Sequence, residues 1–228
     1  MPINKVFPNF EEAVADVHDG ATIMFGGFIG KPGSPTYLIR ALRDKGARNL
    51  TTVSNRCGGG MDLDMLFEAR QVRKAIAAAP VPVSRQPLSP FEKQYLAGEI
   101  ELEMVPQGTL VERMRAAGAG LGGFYTPAGV GTLIAEGKEQ KTIDGKEYIL
   151  ELPLKADFAF IRAHKADKMG NLTYRRSQRS FNPIMAIAAK VTIAEVDEIV
   201  EVGELDPEAI VTPTIYVDRI VKRPGREE

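Results

Sequence analysis

The sequence predicts an α/β protein: a mostly parallel sheet flanked by helices, with an added β-hairpin region. Three observations predict it. Short apolar runs alternate with segments of helical periodicity along most of the chain. Several of those runs lead directly into loops rich in glycine. Apolar residues make up 44% of the chain and charged residues 26%, which is ordinary globular usage rather than that of a disordered chain. No internal repeat appears and no stretch reads as a linker, so residues 1–228 are expected to form one domain.

The elements follow in order. Phe10, Ala13, Val14 and Val17 recur at the 3.6-residue period, so 10–18 is expected to be a helix, ended by the turn pair Asp19-Gly20. Residues 21–25 are a buried strand, and a Gly/Pro loop follows. Residues 37–45 are helical, with Gly46 as the stop. A strand at 49–54 leads into a second glycine-bearing loop, then a helix at 61–69 and a strand at 72–78. Pro80, Pro82, Pro87 and Pro90 mark 80–90 as a surface excursion. A helix is expected at 91–97, a strand with one wet face at 100–105 and a helix at 110–117. Residues 118–132 are glycine-rich. Residues 141–150 read as a hairpin turning at Asp144-Gly145. A strand at 157–165, a small helix at 185–189 and a strand at 191–196 complete the pattern, and the charged tail after Arg223 is expected to fray. Right-handed crossovers would bring the loops after the strands to one edge of the sheet, where such sheets bind ligands.

Composition excludes several function classes. There are 29 Lys+Arg against 30 Asp+Glu and no basic block, which argues against nucleic acid as a partner. The single cysteine, Cys57, excludes an internal disulfide and any multi-cysteine metal site. Histidines occur only at 18 and 164, so no metal site is expected. The longest apolar runs fall far short of the ~20 residues that a membrane helix needs. The N-terminal segment carries acids and no apolar signal region, so the expected compartment is the cytoplasm.

The densest chemical signal is Gly26-Gly27-Phe28, continuing to Gly33-Ser34-Pro35. Glycines directly after a strand let backbone N–H groups approach a phosphate or a developing oxyanion. The stretch matches neither a Walker A loop nor the Rossmann fingerprint, and a tight structural turn is the competing reading. Asn55 and Gln107 each lie at a strand end beside glycine and are candidate amide donors to a carboxylate or carbonyl; a turn or capping role competes for both. Residues 118–131 hold six glycines and suit a phosphate cradle, a flap or a surface packed on a partner chain. Cys57 and His164 read as structural. Arg175, Arg176 and Arg179 read as surface cations or as an anion site. No nucleophile–base pair and no carboxylate pair in a glycine-rich setting is apparent. Donors without a reactive group fit half of a composite active site.

These segments carry a resemblance. Asp19-Gly20-Ala21-Thr22-Ile23-Met24-Phe25-Gly26-Gly27-Phe28 is similar to a signature of the α (A) subunits of family I CoA-transferases, although the spacer before Gly33-Ser34-Pro35 is one residue longer than usual. Further similarity lies at Leu50-Thr51-Thr52-Val53-Ser54-Asn55, Val105-Pro106-Gln107-Gly108-Thr109-Leu110 and Gly170-Asn171-Leu172-Thr173-Tyr174, and extends over nearly the whole chain. Arg56-Cys57-Gly58, Gln178 and Ser180 depart from it.

The resemblance implies a fold of the CoA-transferase (NagB/RpiA-like) type. It also implies a ping-pong reaction in which a glutamate attacks an acyl-CoA and CoA is then held as an enzyme thioester. That glutamate belongs to the partner, the β (B) subunit, so no catalytic residue is expected in this chain. The resemblance assigns Gly26, Gly27, Phe28 and Gly33 to the wall of the pocket, and Asn55 and Gln107 to donation toward the acyl group. Lys31 would face an anionic substrate or a CoA phosphate. It implies CoA as substrate, no other cofactor, and an α2β2 heterotetramer. Competing readings are an acyl-CoA-binding subunit of a related hydrolase or C–C bond-cleaving enzyme, and a non-catalytic metabolite-binding module.

Overall fold

A computed structural model describes residues 3–28, 33–58, 62–80 and 87–225. Lys31, Gly30, Gly59, Gly60 and Pro82 lie outside the described residues. In chain order the elements are α1 (Phe10–Ala13), β1 (Thr22–Phe25), α2 (Thr36–Lys45), β2 (Leu50–Arg56), α3 (Asp64–Glu68), β3 (Val72–Ala79), α4 (Pro90–Leu96), β4 (Glu101–Met104) and α5 (Gln107–Ala119). They continue with β5 (Phe124–Thr126), β6 (Gln140–Ile143), β7 (Lys146–Glu151), β8 (Ala156–Asp167), β9 (Leu172–Thr173), α6 (Asn182–Ala186), β10 (Ala189–Val200) and β11 (Arg219–Lys222).

The main sheet has eight strands: β11-β10-β8-β1-β2-β3-β4 in spatial order, with β9 pairing to β8 off that path. Among the described residues of this sheet the β8–β9 strand pairing is antiparallel and the other strand pairings are parallel. From β1 the chain builds outward to β4, then returns to fill the other side. The order therefore reverses between β1 and β8, and a crevice opens at their carboxyl ends.

Helices cover both faces because the central strands are apolar on both. Ile23 and Phe25 of β1 point into one core with Leu38, Leu42, Leu66 and Phe91, from α2, α3 and α4. Met24, between them, points into the other core with Leu110 and Met114 of α5 and Met185 of α6. On β8, Phe158 and Phe160 serve the first core, and Ala159, Ile161 and Ala163 the second. The small residues on that second face let α6 lie close to the sheet. Each fully buried Phe or Leu contributes roughly 1.5–3 kcal/mol relative to exposure.

Some expectations need correction. The first helix stops at Ala13 rather than residue 18. Arg219 Nη1 donates to the Ala13 carbonyl at 2.7 Å, and Val17 N bonds to Val14 O at 3.1 Å instead. α5 begins at Gln107, not at 110, because Pro106 opens the turn and its carbonyl accepts from Leu110 N at 2.8 Å. The periodicity marks the first buried residues of that helix, not its first turn. Of the glycine-rich stretch, residues 118–119 are helical and Phe124–Thr126 is a strand. A Cβ at Gly118 would meet Ile187 at 2.6 Å, so this glycine serves close packing. The hairpin is β6–β7, turning at Asp144-Gly145 as expected, and β5 pairs with β7 to make a three-stranded antiparallel sheet. No strand was expected at β5, β9 or β11. Among the described residues, no helix is long and apolar enough to cross a membrane.

Candidate active site

Three segments meet at the carboxyl edge of the sheet: the turn after β1, the end of β2 and the first turn of α5. Gly26 N extends the ladder by donating to Phe160 O at 2.9 Å. A Cβ at Gly26 would lie 1.7 Å from Asn182 Oδ1, so only glycine fits there. Gly27 has φ +107°, and a Cβ at Gly33 would lie 3.2 Å from Gly27 Cα. The two ends of the loop are thus pinned side by side.

Asn182 does the pinning. It is fully buried; its Oδ1 accepts from Arg162 N at 2.9 Å, and its Nδ2 donates to Gly33 O at 3.0 Å and Gln178 O at 2.7 Å. Both ends of this amide are satisfied, as burial demands. Nothing in the sequence singled out Asn182 beyond its place before Pro183.

Phe28 emerges from this turn and stacks on Phe181, with ring centroids 6.0 Å apart and planes 9° from parallel. Its carbonyl accepts from Asn55 Nδ2 at 3.4 Å, and Asn55 Oδ1 accepts from Gln107 Nε2 at 2.7 Å. Asn55 is the penultimate residue of β2, at the strand end as expected, and is 4% exposed; Gln107 stands exposed on the first turn of α5. Phe28, Asn55 and Gln107 therefore form one contiguous row.

Two spaces border that row. A cavity of about 10 Å³, lined by Gly26, Gly27, Phe28, Ser54 and Asn55 among others, has room for about one water. An open cleft of about 540 Å³ is lined by Phe28, Gln107, Thr109, Phe124, Thr126 and Phe181 among others. Gly26, Gly27, Phe28 and Asn55 meet at the small cavity, and Phe28 and Gln107 at the cleft. Gly33 is buried beside Gly27 and lines neither space.

The arrangement offers amide donors, an aromatic wall and the first-turn N–H groups of α5, which has no side-chain cap. Among the described residues lining the cleft, the one carboxylate is Glu112. It is solvent-exposed and paired with Arg115 at 3.1 Å. Cys57 is no nucleophile: burial, with Asp64 nearby, pushes its thiol up to about 12. His164 faces Asp197 at 3.4 Å, and it lines neither space. Among the described residues, no group of three or more His, Cys, Asp or Glu is placed to hold a metal ion.

One further carboxyl supports the site. Glu195 of β10 is fully buried, and Oε2 accepts from Tyr37 N at 2.8 Å and Leu38 N at 3.1 Å, the first turn of α2. Its Oε1 is 3.2 Å from Arg223 Nε. Burial pushes this carboxyl up to about 7; the Arg223 charge and the two backbone N–H groups offset only part of that. Glu195 thereby ties α2, and the Gly33–Pro35 end of the loop before it, to the sheet. The signal for it is a lone acid in the apolar run Thr192-Ile193-Ala194-Glu195-Val196.

The chain is similar to known proteins over nearly its whole length. The family model described as coenzyme A transferase matches residues 7–223. The chain is 54% identical over 225 residues to the A subunit of 3-oxoadipate CoA-transferase from Pseudomonas putida, covering 98% of this chain and 95% of that one. It is 50% identical over 227 residues to the A subunit of the probable succinyl-CoA:3-ketoacid coenzyme A transferase of Bacillus subtilis (strain 168), covering 99% and 93%. Among solved structures, an acyl-CoA transferase from E. coli O157:H7 (YdiF), in a thioester complex with CoA, superposes with a TM-score of 0.83 at 25% identity. That match covers 97% of this chain and 48% of the larger one.

Proposed function

The chain belongs to the coenzyme A transferase family, and we propose that it forms one wall of an active site whose attacking glutamate comes from the partner B subunit. It is the A subunit of a CoA-transferase, and the naming of its relatives as A subunits implies a B partner. The chain's own site supports the division of labour. It gathers the amide donors of Asn55 and Gln107 beside the Phe28 turn, and among the described residues lining the cleft there is no desolvated nucleophile.

In this reading a carboxylate of the partner attacks the acyl-CoA carbonyl and CoA thiolate leaves, forming an acyl–glutamyl anhydride. The thiolate then attacks the glutamyl carbonyl and releases the first acid. The second acid reverses both steps and departs as the new thioester, so no bond energy is lost to water. The amides of Asn55 and Gln107 hold the acyl group, and the Phe28–Phe181 stack and the walls of the cleft exclude water. A developing oxyanion needs donors already in place; losing one costs typically ~3–4 kcal/mol. The relatives' names point to succinyl-CoA as donor and a 3-oxo acid as acceptor. Assembly as an α2β2 heterotetramer, a cytoplasmic location, and residues 1–228 as one domain belong to the same proposal. The continuous sheet with a core on each face supports the last.

The test is co-expression with the partner subunit and a panel of acyl-CoA donors and free acids. CoA should pass to an acceptor acid with the thioester conserved. Net hydrolysis, or release of carbon dioxide, would assign the fold to a different reaction.

A further inference from the structure

Arg175, Arg176 and Arg179 are exposed, and among the described residues none of them enters an ion pair. Three unpaired guanidinium groups within five residues are unusual in a chain that otherwise pairs many of its cations, as Lys74 does with Glu103 at 2.9 Å and Arg113 with Glu103 at 2.7 Å. The cluster is held rather than loose. Arg176–Arg179 is a single 3-10 turn. Inside it Gln178, 6% exposed, accepts from Arg175 N at 3.0 Å and donates to Asp197 Oδ2 at 3.0 Å. Its carbonyl accepts from Asn182 Nδ2 at 2.7 Å, so the same buried asparagine fixes this turn and the loop end at Gly33. Arg176 sits at φ +53°, a left-handed conformation that a non-glycine residue rarely adopts.

The turn borders a second open groove, of about 520 Å³. Arg179 and Arg115 line it together with Val111, Phe181, Pro183 and Ile184 among others. Val111 and Phe181 also line the first cleft, so the two adjoin along these side chains. The lining residues therefore lead from Gln107, across the Phe181 ring and along an apolar floor, to Arg179, the member of the cluster that lines the groove.

Resting on the proposed function, we infer that the 175–179 turn receives the phosphate end of CoA, with the pantetheine arm lying in the groove over Phe181. The ligand's chemistry matches the path: a reactive thioester at one end, an arm of mixed apolar and amide character, and a phosphorylated nucleotide at the other. Guanidinium groups suit phosphate because they can donate two parallel hydrogen bonds to one anion. Holding the turn in place beforehand lowers the ordering cost of binding.

The test uses the reconstituted complex with Arg175→Gln, Arg176→Gln and Arg179→Gln combined. One acyl group is supplied on CoA and on pantetheine, and assembly is read by size-exclusion chromatography. The preference for the CoA thioester over the pantetheine thioester should fall by roughly tenfold or more through KM, with the complex intact. An unchanged preference overturns the inference. So does loss of the partner from the complex, which would assign the arginines to acids of that chain. Calorimetric titration with CoA separates the two levels. If the wild-type complex binds CoA more tightly than the variant yet transfers nothing, the proposed function fails and the arginine site stands. If transfer proceeds and both bind CoA equally, the arginine site alone fails.

Discussion

Gln107 Nε2 donates to Asn55 Oδ1 across 2.7 Å, joining an amide on the first turn of α5 to one inside β2. Neither residue is placed by its own element alone. Asn55 is also tied to the Phe28 carbonyl, so one hydrogen-bonded row links the turn after β1 to the two amides. In the complex, Asn55→Ala and Gln107→Ala should each lower kcat/KM by about tenfold to a hundredfold, the range for a hydrogen bond to a charged or developing anionic group. The double variant should lose less than the product of the two, because each single change already strands the other amide. Steady-state kinetics on the three variants checks this; strict multiplicativity would mean that the two amides act separately.

Glu112 is the carboxylate that this chain's described residues bring to the cleft. Paired with Arg115 on an exposed helix face, it lacks the dry surroundings that a nucleophilic carboxylate needs. Glu112→Gln should leave kcat within about fivefold of wild type, since an exposed pair is worth about 1 kcal/mol at most. A drop of several orders of magnitude would place the attacking group here.

The Gly26–Asn182 contact sets a stability prediction. A methyl group at Gly26 would land 1.7 Å from Asn182 Oδ1, and that oxygen cannot retreat without releasing Arg162 N. Gly26→Ala should destabilise the chain by about 1–3 kcal/mol, the usual cost of overpacking a buried site. Denaturant unfolding measures it. A neutral effect would show that the loop can shift freely, contrary to the pinned geometry.

The carboxyl of Glu195 predicts a pH dependence. Its value is raised from the ordinary 4.5 to about 7 in the folded chain. Between those two values the folded state holds a proton that the unfolded state has lost, so this group's contribution to stability declines as pH rises through that window and levels off above it. Gln carries no such charge. The melting temperature of Glu195→Gln relative to wild type should therefore increase from pH 5 to pH 8, whatever its sign at either end. A flat or falling difference would contradict the buried, strained carboxylate.

The sheet and its helices were legible because burial imposes periodicity: Ala21 to Phe25, and Leu38, Ile39, Ala41 and Leu42, announce their elements directly. The turn at Asp144-Gly145 was legible from its residue types, and both adopt positive φ. The ends of elements were less so. Whether a helix continues past Ala13 depends on Arg219, more than two hundred residues away, and no local pattern carries that. The same holds at the site. Gly26, Gly27, Phe28, Asn55 and Gln107 stood out as strand-end residues and do converge. Gly33 belongs to the packing behind them. Asn182, Glu195 and Phe181, which fix their positions, come from the far half of the chain; Glu195 carries only the weak signal of an acid in an apolar run, and Phe181 and Asn182 carry none beyond their place before Pro183.

The central claim is that the attacking acid lies on the partner chain. Incubating the two-subunit complex with an acyl-CoA donor, without acceptor, and mapping covalently held CoA by peptide mass spectrometry tests it directly. CoA should be found as a thioester on a glutamate of the partner, with this chain unmodified and inactive when purified alone. CoA attached to a residue of this chain, or full transfer by this chain without its partner, would contradict it.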